Sequence, residues 1–121
     1  MKEKLTREKA LELHRRMWGD MRKKLGNNPS DLARRIFKRD WLQTHGYEDV
    51  ECNCFLCEYD TQQKSKYKAC EACPIDWFPL SAKKNACCGD QYIYGNSRIF
   101  DSIWESAPID EILNLPEKEG V

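Results

Sequence analysis

The sequence predicts a small, mainly helical α+β domain: an N-terminal helical hairpin, a central β-hairpin pinned by cysteines, and short C-terminal helices. Three observations carry this prediction. Two amphipathic stretches joined by a Gly-Asn-Asn-Pro turn fill residues 1–46. Two Cys-x-x-Cys pairs follow within 51–74. Apolar clusters bounded by Pro108 and Pro116 then occupy 97–116. A chain of 121 residues fits one domain with a small core.

The first helix is expected from about Thr6 to Leu25. Thr6 suits the N-cap, Glu8 suits the first turn, and Leu5 can staple onto Ala10. Leu11, His14, Trp18, Met21 and Leu25 recur at spacings of three and four, one apolar stripe. Arg22, Lys23 and Lys24 suit the last turn, and Gly26 ends it. The second helix is expected from Ser30 to Thr44, capped by Ser30 or Asn28. Its predicted buried face is Leu32, Ala33, Ile36, Phe37 and Trp41, with Arg34, Arg35, Lys38 and Arg39 largely off it. His45 fits a C-terminal cap, and Gly46 a stop.

Lys64, Lys66 and Lys68 alternate with Ser65, Tyr67 and Ala69, a period of two that predicts a strand. Its expected partner is the stretch from Phe55 to Tyr59. Residues 74–98 read as loop. A helix is expected to start near Ser97 with Ile99, Phe100, Ile103 and Trp104 buried. A last one is expected after Pro108, carrying Ile109, Ile112, Leu113 and Leu115. Residues 117–121 are expected to form a loose tail.

The thiols carry the chemistry. Cys54-x-x-Cys57 and Cys70-x-x-Cys73 are separated by 12 residues, enough for two strands and a turn. Each pair can turn both sulfurs to one point, and Zn²⁺ accepts four thiolates at about 2.3 Å in closed structural sites. The central hairpin is thus expected to be zinc-bound, of zinc-ribbon or knuckle type. Lys64, Lys66 and Lys68 could offset the charge of the thiolates or form a solvated face. Cys52, Cys87 and Cys88 are possible substitutes for a ligand, or small buried apolar groups.

Other thiol chemistries fit less well. The start of the chain has no apolar signal core and no stretch approaches a membrane span, so a cytoplasmic protein with reduced thiols is expected. Seven cysteines cannot all pair internally. A redox Cys-x-x-Cys wants a βαβ setting, and a zinc deaminase wants His-x-Glu before Pro-Cys-x-x-Cys. Neither context is present, nor is a phosphate loop or His-Glu-x-x-His. A non-enzyme without a small-molecule substrate or membrane partner is expected.

Net charge is zero, but residues 1–45 hold 13 Lys/Arg against 6 Asp/Glu, and residues 46–121 hold 7 against 14. Either the halves neutralise each other, or the basic half meets nucleic acid through Arg15, Arg16, Arg22, Lys23, Lys24, Arg34, Arg35, Lys38 and Arg39. Trp77, in a loop with Ile75, Phe78 and Leu80, is either a flap over the core or an aromatic anchor for a partner.

The segments ALELHRRMW (10–18), KRDWL (38–42), CFLCEY (54–59), CEACPIDW (70–77), Cys87-Cys88-Gly89 and EILNLP (111–116) carry a resemblance. The chain resembles a set of small, largely uncharacterised Cys-rich proteins of bacteriophages and prophages of Gram-positive bacteria. Cys52 and Cys88 are extras relative to that pattern. The resemblance implies a phage accessory protein acting in the host cytoplasm. The expected function is a zinc-stabilised module that binds and modulates a bacterial host protein, such as a defence or transcription factor. The alternative is a nucleic-acid-binding zinc protein.

Overall fold

A computed structural model describes residues 3–63, 71–83, 86–94 and 97–119. Helix α1 spans Arg7–Leu25. The Thr6 hydroxyl accepts the Lys9 amide at 3.1 Å, so the predicted cap forms. Leu5 and Ala10 are both buried, as the staple requires. Gly26 takes φ +83°, and its N–H returns to the Arg22 carbonyl at 2.9 Å. The buried stripe is wider than predicted, because Leu13 and Met17 join Leu11, His14, Trp18 and Met21.

Helix α2 spans Asp31–Thr44, with the Ser30 hydroxyl accepting from Ala33 at 3.1 Å. Its ends match the prediction, but its orientation does not. The side chains it buries are Arg34, Lys38, Trp41 and Leu42. Leu32 is 66% exposed and Ile36 is 42% exposed. The reason lies in what α2 meets. The Arg34 guanidinium donates to the carbonyls of Pro29 (3.0 Å), Trp104 (3.1 Å) and Ala107 (2.6 Å). The Lys38 ammonium lies 4.3 Å from the Trp104 ring centre and 5.6 Å from that of Trp18. Two cations with ready-made partners thus outcompete two aliphatic side chains for the interior.

Beyond α2, His45 stacks on Trp41 at 3.8 Å and its Nδ1 lies 2.8 Å from the Trp41 carbonyl, the expected capping role. A short turn over Glu51–Asn53 leads into helix α3, Phe55–Gln62. This corrects the predicted strand at Phe55–Tyr59. Phe55 and Leu56 are fully buried, and Tyr59 packs against the core one turn on, a helical spacing. The lysine-rich strand predicted at 64–68 lies outside the described residues.

The hairpin in the described residues is elsewhere. Strands β1 (Gln91–Tyr94) and β2 (Ser97–Ser102) pair antiparallel, with Gln91 opposite Ser102 and an irregularity between Gln91 and Ile93. They replace the predicted loop and the predicted start of a helix at Ser97. Helix α4 begins only at Ile103 and ends at Ser106. Helix α5 spans Ile109–Leu113. Its first amides bond to the Asn27 carbonyl (2.9 Å) and side chain (2.8 Å), so the α1–α2 turn caps α5. Glu117 bridges to Ile75, and the Lys118 amide donates to the Pro74 carbonyl at 2.7 Å. The expected loose tail is therefore docked over residues 117–118.

One hydrophobic cluster runs from Leu5 to Leu115 and joins all five helices. Among the described residues, no helix is long and apolar enough to cross a membrane.

Candidate metal centre

Cys54 occupies the N-cap position of α3, and Cys57 lies in the first turn. Both sulfurs therefore face the same end of the helix. Cys88 reaches them from the turn at 87–90, where the Asp90 carboxylate accepts the Cys87 amide at 2.8 Å. The Cys88 carbonyl accepts the Trp104 amide at 3.2 Å, which fixes that turn on α4. The thiols of Cys54, Cys57 and Cys88 lie near enough to act on one another's protonation. The thiols of Cys57 and Cys88 both favour a thiolate on Cys54, whose pKa is held well below the ordinary thiol range. Cys54 holds the Cys57 and Cys88 thiols up in turn.

Cys73 lines the same space with Cys54, Cys57, Cys87 and Cys88. The backbone N–H of Ile75 is directed at its sulfur. The buried Trp77 indole N–H, which forms no complete hydrogen bond, also favours its thiolate. Burial still wins, and the Cys73 thiol is pushed up to about 11. Two N–H groups that favour a thiolate suit a sulfur that gives up its proton to a cation. The segment is anchored on α3 by the Ala72 amide, which donates to Asp60 at 2.8 Å. On its other side the Asp76 amide donates to the Pro116 carbonyl at 2.9 Å.

Lys38 is the buried cation nearest in effect to these thiols. Its charge favours thiolates on Cys54 and Cys88. Lys64, Lys66 and Lys68, for which the sequence leaves open either this balancing role or a solvated face, lie outside the described residues. His14 is buried, and neither of its ring nitrogens has a hydrogen-bond partner. Burial lowers its pKa to about 4, against a raising effect from Cys54. It is a core histidine, as expected, but not a satisfied one.

The cavity that these thiols line together with Leu56, Asp60 and Trp77 is about 10 Å³. It is of the order of one water-sized sphere, too small for an organic substrate. The donors are soft thiols, Cys54 and Cys73 buried and Cys57, Cys87 and Cys88 half-buried, which is a donor set zinc takes. As they stand, no group of three or more Cys, His, Asp or Glu side chains among the described residues is set to hold a metal ion.

Of the predicted ligands, Cys54, Cys57 and Cys73 meet, and Cys70 lies outside the described residues. Cys52 is exposed in a left-handed conformation (φ +56°), turned to Glu51 rather than to the cluster. Cys88, an extra in the sequence pattern, is central. No local signal marks it, because its approach depends on β1 and α4. Trp77 is 2% exposed and belongs to the core, so of its two sequence readings the flap over the core holds and the partner anchor does not.

The basic residues divide. Arg34 and Lys38 are buried, which removes them from any nucleic-acid surface. Arg15 and Arg7 pair with Glu117 at 2.9 and 3.0 Å, and Arg35 pairs with Glu105 at 2.9 Å. Hydrogen bonds from Arg15 and then Arg7 hold the Glu117 carboxylate below its usual range. The two halves thus neutralise each other in part. Arg16, Arg22, Lys23, Lys24 and Arg39 stay exposed.

Compared with protein-family models, curated proteins and solved structures, the chain finds no match.

Proposed function

We propose that the chain is a non-catalytic protein-interaction module of the phage-encoded type, stabilised by a structural zinc. It binds and modulates a bacterial host protein in the host cytoplasm. The observation that most supports it is the gathering of the Cys54, Cys57 and Cys88 thiols beside Cys73, around a cavity of about 10 Å³. We assign Cys54, Cys57, Cys73 and Cys88 as the zinc ligands. Zinc would cross-link α3 to two segments with little regular structure. Binding a structural zinc contributes about 10–16 kcal/mol in small peptide systems. A cavity this small favours a structural role over a catalytic one, which needs an open position. The exposed Leu25, Leu32 and Ile36 supply apolar contact area for a protein. The nucleic-acid alternative draws less support, since two of its nine cations are buried and three are paired with carboxylates.

Metal analysis and circular dichroism test the zinc. Purified protein is expected to carry about one zinc per chain. Cys54→Ser and Cys88→Ser should lose metal and fold together, whereas Cys52→Ser should keep both. Full retention of the fold after chelation would end this reading. Affinity capture from several host lysates tests the partner, with recovery of no protein above background as the adverse result.

A further inference from the structure

We propose that the outward apolar face of α2 is a docking groove for an acidic amphipathic helix of the partner protein. This rests on the interaction-module reading and specifies its surface. With Arg34 and Lys38 turned inward, Leu32 and Ile36 of the face that periodicity marks as core are left outside, while Phe37 packs against the core and Trp41 is buried. Ile36 forms a ridge between two grooves. One, of about 430 Å³, is lined by Leu25, Ala33, Ile36, Phe37 and Trp41. The other, of about 300 Å³, is mixed: Leu32, Ile36, Cys52 and Trp104 line it together with Arg35, Lys38, Arg39 and Asn53. An aliphatic ridge on a 14-residue helix, with an apolar trough on one side and a basic, half-apolar one on the other, fits the i, i+3, i+4, i+7 anchors of a partner helix whose flank is acidic.

Charge selects the occupant. Lys24 borders the first groove; Arg39, with its side chain 62% exposed, borders the second beside Arg35, whose charge is already met by Asp31 and Glu105 at 2.9 Å each. Arg22 and Lys23 extend the positive rim along the end of α1. Asp40, 3.6 Å from Arg39, is the acidic side chain lining the first groove. A second copy would bring the same positive rim against this one, and like charges would meet. Nucleic acid would place phosphates over an apolar floor. An acidic helix satisfies both the floor and the rim.

The probe is a synthetic helix-forming peptide with leucines on one face and glutamates elsewhere. Its twin has lysines in place of the glutamates. Both are titrated into the full-length protein and followed by fluorescence anisotropy and amide chemical shifts. The acidic peptide is expected to bind about tenfold or more tighter than its twin, shifting Leu25, Ile36 and Phe37. Ile36→Glu, at an exposed position that should not disturb folding, is expected to weaken the acidic peptide by about tenfold. The double variant Lys24→Glu/Arg39→Glu should reverse the preference between the peptides. Equal binding of the two peptides, or no effect of Ile36→Glu, overturns the proposal. So does a dimer that Ile36→Glu dissolves, or a DNA duplex producing the same shifts. If host-protein capture persists in Ile36→Glu while the peptide arm fails, the groove is wrong and the interaction-module reading survives. If capture fails in the unaltered protein, that reading fails by itself.

Discussion

Helices α1 and α2 are neighbours with equally clear ends, yet they use their apolar stripes in different ways. In α1 the stripe goes in: Leu11, Trp18 and Met21 are buried, with Met17 beside them at full burial. In α2 only part of the stripe goes in: Trp41 is buried and Phe37 packs against the core, but Leu32 and Ile36 are left out while a guanidinium and an ammonium take the interior. Periodicity states that a helix has two faces. What each face finds across the gap decides which one is buried. For α2 the carbonyls of Trp104 and Ala107 and the two indole rings outweigh Leu32 and Ile36.

The sharpest test of this contrast is Arg34→Ala. It orphans three carbonyls and opens a cavity, and burial already pulls the Arg34 pKa down, so its position depends on those acceptors. A loss of about 3 kcal/mol or more is expected in urea unfolding. A loss below about 1 kcal/mol would mean that Arg34 does not set the orientation of α2. Met17→Ala, the matching deletion in α1, is expected to cost about 2–5 kcal/mol.

His14 gives a pH-dependent version of the same test. Its pKa is about 4 in the fold against an ordinary 6.5. Between those values the unfolded chain binds the proton and the folded chain does not, so stability falls as pH drops from 6.5 to 4. The contribution lost is up to about 3 kcal/mol. In His14→Gln this part of the pH dependence should vanish, leaving a shallower curve of stability against pH. An unchanged curve would show that His14 does not titrate with unfolding.

Smaller effects complete the series. Lys38→Met keeps the stem and removes the charge, so a loss of about 1 kcal/mol is expected from the two ring contacts. Leu32→Gln should change stability by less than about 0.5 kcal/mol, because little of Leu32 is buried. A loss as large as that of a core leucine would contradict its exposure.

The sequence made the N-terminal half legible because its signals are local. Thr6, Ser30 and Gly26 act within one turn of where they stand. The middle is less legible: the strand expected at Phe55–Tyr59 rests on pairing with the alternating Lys64, Lys66 and Lys68 between the two thiol pairs, and the segment is helix α3 instead. The spacing of Phe55, Leu56 and Tyr59 was already helical. The hairpin at β1 and β2 had its own signal in the alternating Tyr92, Ile93 and Tyr94 before Gly95-Asn96. The meeting of Cys54 and Cys57 could be read from their spacing. That of Cys88 could not, since it is set by the packing of the 87–90 turn on α4.

The Arg34 clasp also bears on the order in which the chain can be completed. Two of its three acceptors belong to residues 70 and 73 positions further along. During synthesis the guanidinium must wait in water until residue 107 has left the ribosome. Until then α2 is held only by partners inside the helical hairpin: the Trp41 indole donates to Asp20 at 2.9 Å, Arg34 donates to the Pro29 carbonyl, and Lys38 lies over Trp18. A fragment ending at residue 46 is therefore expected to hold α2 less firmly than the full chain does, with the Arg34 guanidinium left largely to water.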